Sequence, residues 1–306
     1  MNIVVTSPSF SNNKILQKEI YKYFPKATLN LDGKRFDKKE LIEYIKAADG
    51  IIVGLESIDD EVLEHCKQLK IISKYGVGLN NIDLEACKKR DIAIGWTGGV
   101  NKLSVAEMTL GYMLMLCRNL FVTSTELKKG IWNKSGGFQL SNKKIGIIGV
   151  GHIGKEVVRL LQPFGCTILV NDIINQEQYY KDNSLIETTK EEIFQKCDVV
   201  TIHTPYDETT HNLVSKDEFN MMKSSAFIIN SARGGIINED DLKKALQDKK
   251  IAGAAIDAYV EEPPTDKELL SLLNLICTPH IGGNAQEAVE AMGMSAISHL
   301  MEYIKV

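Results

Sequence analysis

Three glycines in Gly149-Val150-Gly151-His152-Ile153-Gly154 stand at the spacing a dinucleotide requires. The apolar run 144–148 leads into them and a helical pattern, 155–161, leads out. In that order the first glycine makes the tight turn and the second lets the backbone approach a pyrophosphate. The third lets the helix pack on the strand, and the helix N-terminus offers N–H groups and positive potential. Asp172 closes the next strand-like run, 167–170, about twenty residues on, where a carboxylate bonds the ribose 2′-hydroxyl and repels a 2′-phosphate. No arginine or lysine follows in 173–177, so NAD is favoured over NADP.

A nicotinamide cofactor confines the chemistry to hydride transfer, which needs a proton donor or acceptor for the carbonyl or alcohol oxygen and a cation to orient the substrate. Three later segments supply such groups at strand ends. In Ile228-Ile229-Asn230-Ser231-Ala232-Arg233-Gly234-Gly235 an arginine ends an apolar strand ahead of two glycines, a place from which a guanidinium can clamp a carboxylate bidentately. In Ala255-Ile256-Asp257-Ala258-Tyr259-Val260-Glu261-Glu262-Pro263-Pro264 one acid falls at a strand end and another precedes a rigid proline pair. In Cys277-Thr278-Pro279-His280-Ile281-Gly282-Gly283 a histidine lies in a fixed loop between a proline and two glycines. Taken singly, each has an ordinary structural use: an ion pair, a solvated acid, an inert loop histidine.

Together, in this order, these segments resemble the D-isomer-specific 2-hydroxyacid dehydrogenases, in particular the phosphoglycerate dehydrogenase-like branch in its short form. The resemblance runs through Lys74-Tyr75-Gly76-Val77-Gly78-Leu79-Asn80-Asn81-Ile82-Asp83, Ser104-Val105-Ala106-Glu107 and His203-Thr204-Pro205 with Thr209 and Thr210. It implies that His280 is the acid/base at the 2-keto or 2-hydroxyl oxygen, that Glu262 is its carboxylate partner, and that Arg233 binds the substrate carboxylate. A carboxylate beside an imidazole orients the ring and stabilises its cation. Backbone N–H groups of Val77 and Gly78 would hold the same substrate carboxylate, and Lys74 would add positive charge at the substrate mouth. For NAD, the resemblance implies contacts from Gly149, Gly151, His152, Ile153, Gly154, Asp172, Thr204, Ser231, Ala232, Arg233, Asp257, His280, Gly282 and Gly283, with Asp257 on the carboxamide. His203 and His211 match no proton-transfer position, and Glu261 is one residue off the motif. Ala258-Tyr259 departs from the usual Val-Phe, a packing change expected to leave the chemistry alone. The family's NAD-sensing corepressors keep the alternative of a binding protein on the same fold.

These residues need a scaffold that gathers strand ends. Strand-like and helix-like segments alternate almost throughout, the signature of parallel sheets with crossover helices. Strands are expected at 3–5, 27–29, 50–53, 70–73 and 92–94, with helices at 14–23, 38–48, 60–66 and 84–90. A long apolar helix over 102–120 follows, then strands at 144–148, 167–170, 199–202, 226–230, 252–256 and 275–277. The run 285–304 remains as a helix without a partner of its own. The expected class is therefore α/β: two Rossmann-like, doubly wound parallel-sheet domains, with the NAD-binding domain (99–283) inserted into a flavodoxin-like substrate domain (1–98 plus 284–306). Ligands would sit in the cleft between them.

Composition agrees with a globular enzyme. Of 306 residues, 44% are hydrophobic and 25% charged, and the net charge of −4 carries no basic stripe for nucleic acid or anionic membrane. The six cysteines form no CxxC pair or metal-like cluster and read as reduced cytoplasmic thiols. The first residues read as a strand rather than a secretion signal. No metal is expected. The helix over 102–120 is apolar on nearly all faces, which suggests a two-fold homodimer through it. Nothing beyond Val306 suggests an appended regulatory domain.

Overall fold

In the computed structural model, which describes residues 1–305, the alternation resolves into two wholly parallel sheets. The first contains β1 (Ile3–Val5), β2 (Thr28–Leu29), β3 (Gly50–Val53), β4 (Ile71–Lys74) and β5 (Ala93–Gly95), in the order β2-β1-β3-β4-β5. The second contains β6 (Lys144–Ile148), β7 (Thr167–Asn171), β8 (Ile186–Glu187), β9 (Val199–Ile202), β10 (Phe227–Asn230), β11 (Gly253–Ile256) and β12 (Leu275–Cys277), in the order β12-β11-β10-β9-β6-β7-β8. Inner strands are buried along their whole length, as helices on both faces of a parallel sheet require, which is why they read as largely apolar runs, with Thr201 inside β9 and Asn230 ending β10. The short edge strand β8 was not foreseen: two exposed residues carry no periodic signal.

Two compact units result, Met1–Asn101 together with the segment from Asn284 onward, and Lys102–Gly283. In the first unit the helix Gln286–Lys305 returns to helix Lys14–Tyr23 and β4. Ala296 and Leu300 are fully buried there, and Ser73 Oγ donates to the Ala296 carbonyl at 2.8 Å.

In the second unit the strand order reverses at β6, which pairs with β7 on one side and β9 on the other. Ligands bind at the carboxyl end of such a switch point, and the glycine turn follows β6 directly. The helix expected over 102–120 ends at Cys117; Asn119, in the left-handed conformation at φ 53°, separates it from a second helix, Leu120–Lys128. Asparagine tolerates that conformation and commonly terminates helices. Helix Lys102–Cys117 buries Val105, Ala106, Thr109, Tyr112, Met113 and Leu116 and packs against helix His152–Leu161. Leu120–Lys128 buries none of its residues. Among the described residues no single helix is long and apolar enough to cross a membrane; these two pass such a test only together, bent by 67°.

Candidate active site

The glycine turn has the backbone its motif requires. Gly149 sits at φ 92°, and a Cβ there would lie 2.7 Å from the His203 carbonyl carbon. A Cβ at Gly154 would collide with the Gly149 carbonyl oxygen, whereas one at Gly151 would meet open space. Asp172 locks this turn: Oδ2 accepts from Val150 N–H at 2.5 Å and Oδ1 from Ile174 N–H at 2.9 Å. A carboxylate has about four lone-pair sites, so acceptor capacity remains for hydroxyl donors. Ile173 and Ile174 beside it are exposed, and residues 173–177 include no lysine or arginine.

His280 and Glu262, far apart in sequence, are brought into direct contact. Both carboxylate oxygens of Glu262 lie 2.9 Å from His280 Nδ1. An ionised carboxylate only accepts, so Nδ1 carries a proton and donates it to Glu262. Both side chains are partly open, at 43% and 40% exposure, so a substrate can reach them. The carboxylate is itself held, with Tyr259 N–H donating to Oε1 at 3.1 Å.

Arg233 joins the pair through a close backbone approach. A Cβ at Gly234 would overlap the Tyr259 carbonyl and lie 2.6 Å from Val260 N, so only glycine lets the turn after β10 press against the segment leading to Glu262. Burial pulls the Arg233 guanidinium below its usual range and the Glu262 carboxylate opposes that pull. Asn230, 2% exposed, shapes the turn: its Nδ2 donates to the Arg233 carbonyl at 2.8 Å and its Oδ1 accepts from Ala232 N–H at 3.0 Å. Arg233 Nη1 donates to the Ala232 carbonyl at 2.8 Å, and the rest of the guanidinium fork can serve a carboxylate.

Asp257 is 1% exposed and serves as the anchor of the histidine loop. Oδ1 accepts from Ile281 N–H at 2.9 Å and Oδ2 from Gly282 N–H at 2.8 Å. The Thr278 hydroxyl also donates to Oδ1, and Tyr112 OH bonds to Thr278 Oγ1. Tyr259 OH donates to the Thr278 carbonyl at 3.0 Å, so the Ala258-Tyr259 departure adds a hydrogen bond besides changing packing. Burial raises both phenols, Tyr112 up to about 12, and keeps them neutral. Ser104 Oγ donates to the Gly282 carbonyl at 2.6 Å. His280 is thereby held at φ 53°, a left-handed conformation that persists when surrounding contacts over-determine it.

Other expected residues fall as follows. Ser231 Oγ turns inward to Thr109 Oγ1 at 3.0 Å. His203 is buried with Nε2 on Thr201 at 3.0 Å, and burial pushes it down to about 3. His211 is a surface residue bonded to Tyr206 at 2.9 Å. Among the described residues neither has a carboxylate partner. Asn230, Tyr112 and Thr278 were missed as positioning residues; only the strand-end asparagine carried a signal, since Asn side chains bond their own downstream backbone.

In the first unit, Trp96 Nε1 donates to the Val77 carbonyl at 2.9 Å. The N–H groups of Val77 and Gly78 have no intramolecular acceptor among the described residues. Lys74 is 5% exposed and donates to the Gly54 carbonyl at 2.5 Å and Asn81 Oδ1 at 2.7 Å.

A dinucleotide fits the second unit on independent grounds. The N–H groups of Gly151, His152 and Ile153 at the helix start find no acceptor among the described residues, and they are the donors a pyrophosphate takes. Thr204 Oγ1 and His203 Nδ1, next to Gly149, are buried polar atoms without a protein partner. Bound there, NAD(H) supplies a hydride donor or acceptor.

Comparison with known proteins agrees. Residues 110–282 match the family model for the D-isomer specific 2-hydroxyacid dehydrogenase, NAD binding domain. A hydroxypyruvate reductase of Thermotoga maritima is 32% identical over 92% of this chain and 93% of its own length. The D-3-phosphoglycerate dehydrogenase of Methanocaldococcus jannaschii is 36% identical over 88% of this chain, but the chain spans only about half (52%) of that relative. The structure of a D-lactate dehydrogenase from Aquifex aeolicus, complexed with NAD and lactic acid, superposes with a TM-score of 0.84 at 26% identity, covering 99% of this chain and 96% of that one. The chain belongs to the D-isomer-specific 2-hydroxyacid dehydrogenase family, and its second unit carries that family's NAD-binding domain.

Proposed function

We propose that this chain is an NAD-dependent dehydrogenase that interconverts a D-2-hydroxy acid and its 2-keto acid. The observation that carries the reading is the Glu262–His280 contact, with both carboxylate oxygens 2.9 Å from Nδ1. In reduction, His280 Nε2 gives its proton to the 2-keto oxygen as a hydride from NADH reaches C2, so the carbonyl π pair ends in the new O–H bond. Oxidation reverses both transfers. Glu262 holds the ring and balances its charge when protonated. Arg233 clamps the substrate carboxylate and polarises the carbonyl. Val77 and Gly78 are read as offering N–H groups to a substrate carboxylate, and Asp172 favours NAD. Asp257 acts through the loop it anchors, with its carboxamide contact secondary.

The names of relatives put 3-phosphoglycerate, hydroxypyruvate and D-lactate chemistry among the candidates. The test is NADH and NADPH oxidation over phosphohydroxypyruvate, hydroxypyruvate, glyoxylate and pyruvate. Turnover with NADH preferred is expected. Silence across the panel would sink the enzymatic reading in favour of an NAD-sensing protein, and NADPH preference would remove the role of Asp172.

The protein is further proposed to be a cytoplasmic homodimer. All six thiols are free, as a reducing compartment allows. Exposed apolar side chains lie on helix Leu120–Lys128 and its extension, at Leu120, Leu127, Ile131 and Trp132, and at Leu103 on the helix before it. A second copy of this face would cover it symmetrically. Sedimentation of wild type against Leu127→Glu should show dimer becoming monomer; a monomeric wild type would rule it out.

A further inference from the structure

We propose that the substrate carries a small uncharged side chain and no phosphate, and that Leu55 lies beside that side chain. This rests on the reading of Val77 and Gly78 as backbone that holds the substrate carboxylate. Strands β1, β3, β4 and β5 are parallel neighbours, so the segments that follow them share one edge of the first sheet. Those segments are 6–9, 54–57, 75–81 and 96–98. Together with Lys74, the last residue of β4, they contain two charged side chains, Glu56 and Lys74.

A phosphate dianion needs several charge-assisted donors. Lys74 is committed elsewhere. Its ammonium, buried at the end of β4, ties the Gly54 carbonyl (2.5 Å) to Asn81 Oδ1 (2.7 Å). Asn81 Nδ2 in turn donates to the Gly54 and Glu56 carbonyls at 3.2 and 2.6 Å. The lysine stem runs beneath the carboxylate loop, since a Cβ at Gly76 would lie 3.2 Å from Lys74 Cε. Its charge therefore supports the loop read as receiving the carboxylate, and the segments of this edge contribute no second lysine or arginine for a phosphate.

The neighbouring positions point the same way. Gly54 projects no side chain, and a Cβ there would already lie 3.1 Å from Ser7 Cβ. Glu56 is fixed on this edge, with Oε2 accepting from Thr6 Oγ1 at 2.8 Å and Gly54 N–H at 3.0 Å. A carboxylate so placed repels a second anion. Between them Leu55 is 92% exposed on a backbone that these bonds hold rigid. The cations after β2, Lys34 and Arg35, lie beyond β1 and β3 from β4, and Lys34 pairs with Glu40 at 2.9 Å.

The first measurement is kcat/KM with NADH for hydroxypyruvate, glyoxylate and pyruvate against 3-phosphohydroxypyruvate. The best unphosphorylated acid should exceed the phosphorylated one by about tenfold or more. Preference for phosphohydroxypyruvate would overturn the proposal. Leu55→Arg, at a fully exposed position, should narrow that ratio by about tenfold, and an unchanged ratio would remove Leu55 from the site. Binding of D-glycerate and D-3-phosphoglycerate to the NAD⁺-loaded protein, by calorimetry, reads the same preference without the chemical step. Tighter D-glycerate supports the inference; tighter 3-phosphoglycerate, or binding of neither, refutes it. D-glycerate binding without turnover would sink the dehydrogenase reading while leaving the side-chain preference standing.

Discussion

Each unit builds its candidate site on a loop anchored by one buried ionic side chain, but the two anchors have opposite sign. In the second unit Asp257 accepts the N–H groups of Ile281 and Gly282 and the Thr278 hydroxyl. In the first, Lys74 donates to the Gly54 carbonyl and Asn81 Oδ1. A carboxylate anchor consumes N–H groups, so the loop it holds has side chains to offer, and it offers His280. An ammonium anchor consumes carbonyl and amide oxygens, so its loop keeps N–H groups, and Val77 and Gly78 keep theirs. The sign of the anchor thus decides whether a loop has side chains or N–H groups to present, which the proposed function reads as a proton-transfer group and an anion cradle.

The largest effect expected from breaking this comparison is at the presented side chain. His280→Ala should lower kcat by about 10²–10⁴-fold, read by stopped-flow NADH oxidation, while NADH affinity by fluorescence stays near wild type. Retained turnover would mean that the Asp257 loop presents something else. Next comes the anchor itself. Asp257→Asn turns one acceptor into a donor facing a backbone N–H, and should cut kcat about tenfold or more through misplacement of His280 and lower urea stability by about 1–3 kcal/mol. Unchanged stability would show that the anchor is dispensable.

Lys74→Met sharpens the other half. It leaves the Gly54 carbonyl without its ammonium donor and should lower stability by about 1–3 kcal/mol. The kcat/KM for phosphorylated and unphosphorylated acids should fall together. A selective loss for the phosphorylated acid would make Lys74 a substrate ligand instead of an anchor.

The smallest effect concerns His203, a buried ionisable group with no ionic partner. Burial holds its folded-state value at about 3, below the ordinary 6.5. As pH falls the unfolded chain takes the proton first, so stability present above pH 6.5 is lost on the way down until the folded state protonates near pH 3. Between pH 7 and 5 wild type should lose about 2 kcal/mol more than His203→Asn in urea titrations. Parallel pH profiles would show that His203 does not report on burial beside the glycine turn.

Much of this was legible in the chain. The strands β1, β3, β6, β9 and β12 begin and end where their apolar-rich runs do, because strands buried on both faces are apolar at most positions, even where a buried polar residue such as Thr201 of β9 interrupts. The glycine turn and Asp172 were readable from their spacing around a strand–helix turn, whereas Arg233, Glu262 and His280 each have ordinary structural uses singly and stood out only as an ordered set of motifs. The break at Asn119 was not: the apolar pattern continues across it, and only the left-handed residue marks the turn. Nor were the roles of Tyr112 and Thr278, whose hydroxyl groups act through partners distant in sequence; of the positioning residues only Asn230, at a strand end, carried a local signal.

The sequence by itself determined the parallel α/β class and the dinucleotide turn, since periodicity and glycine spacing are local properties of the backbone; it also offered His280, Glu262 and Arg233 as the residues proposed for proton transfer and carboxylate binding. Only the tertiary structure decided which nitrogen of His280 faces Glu262, that Asp257 and Lys74 are anchors, and that Gly234 brings Arg233 beside the acid. Those outcomes depend on which polar groups are left without water when distant segments pack, and hydrogen-bond satisfaction in a core is settled by three-dimensional neighbours, not by sequence spacing.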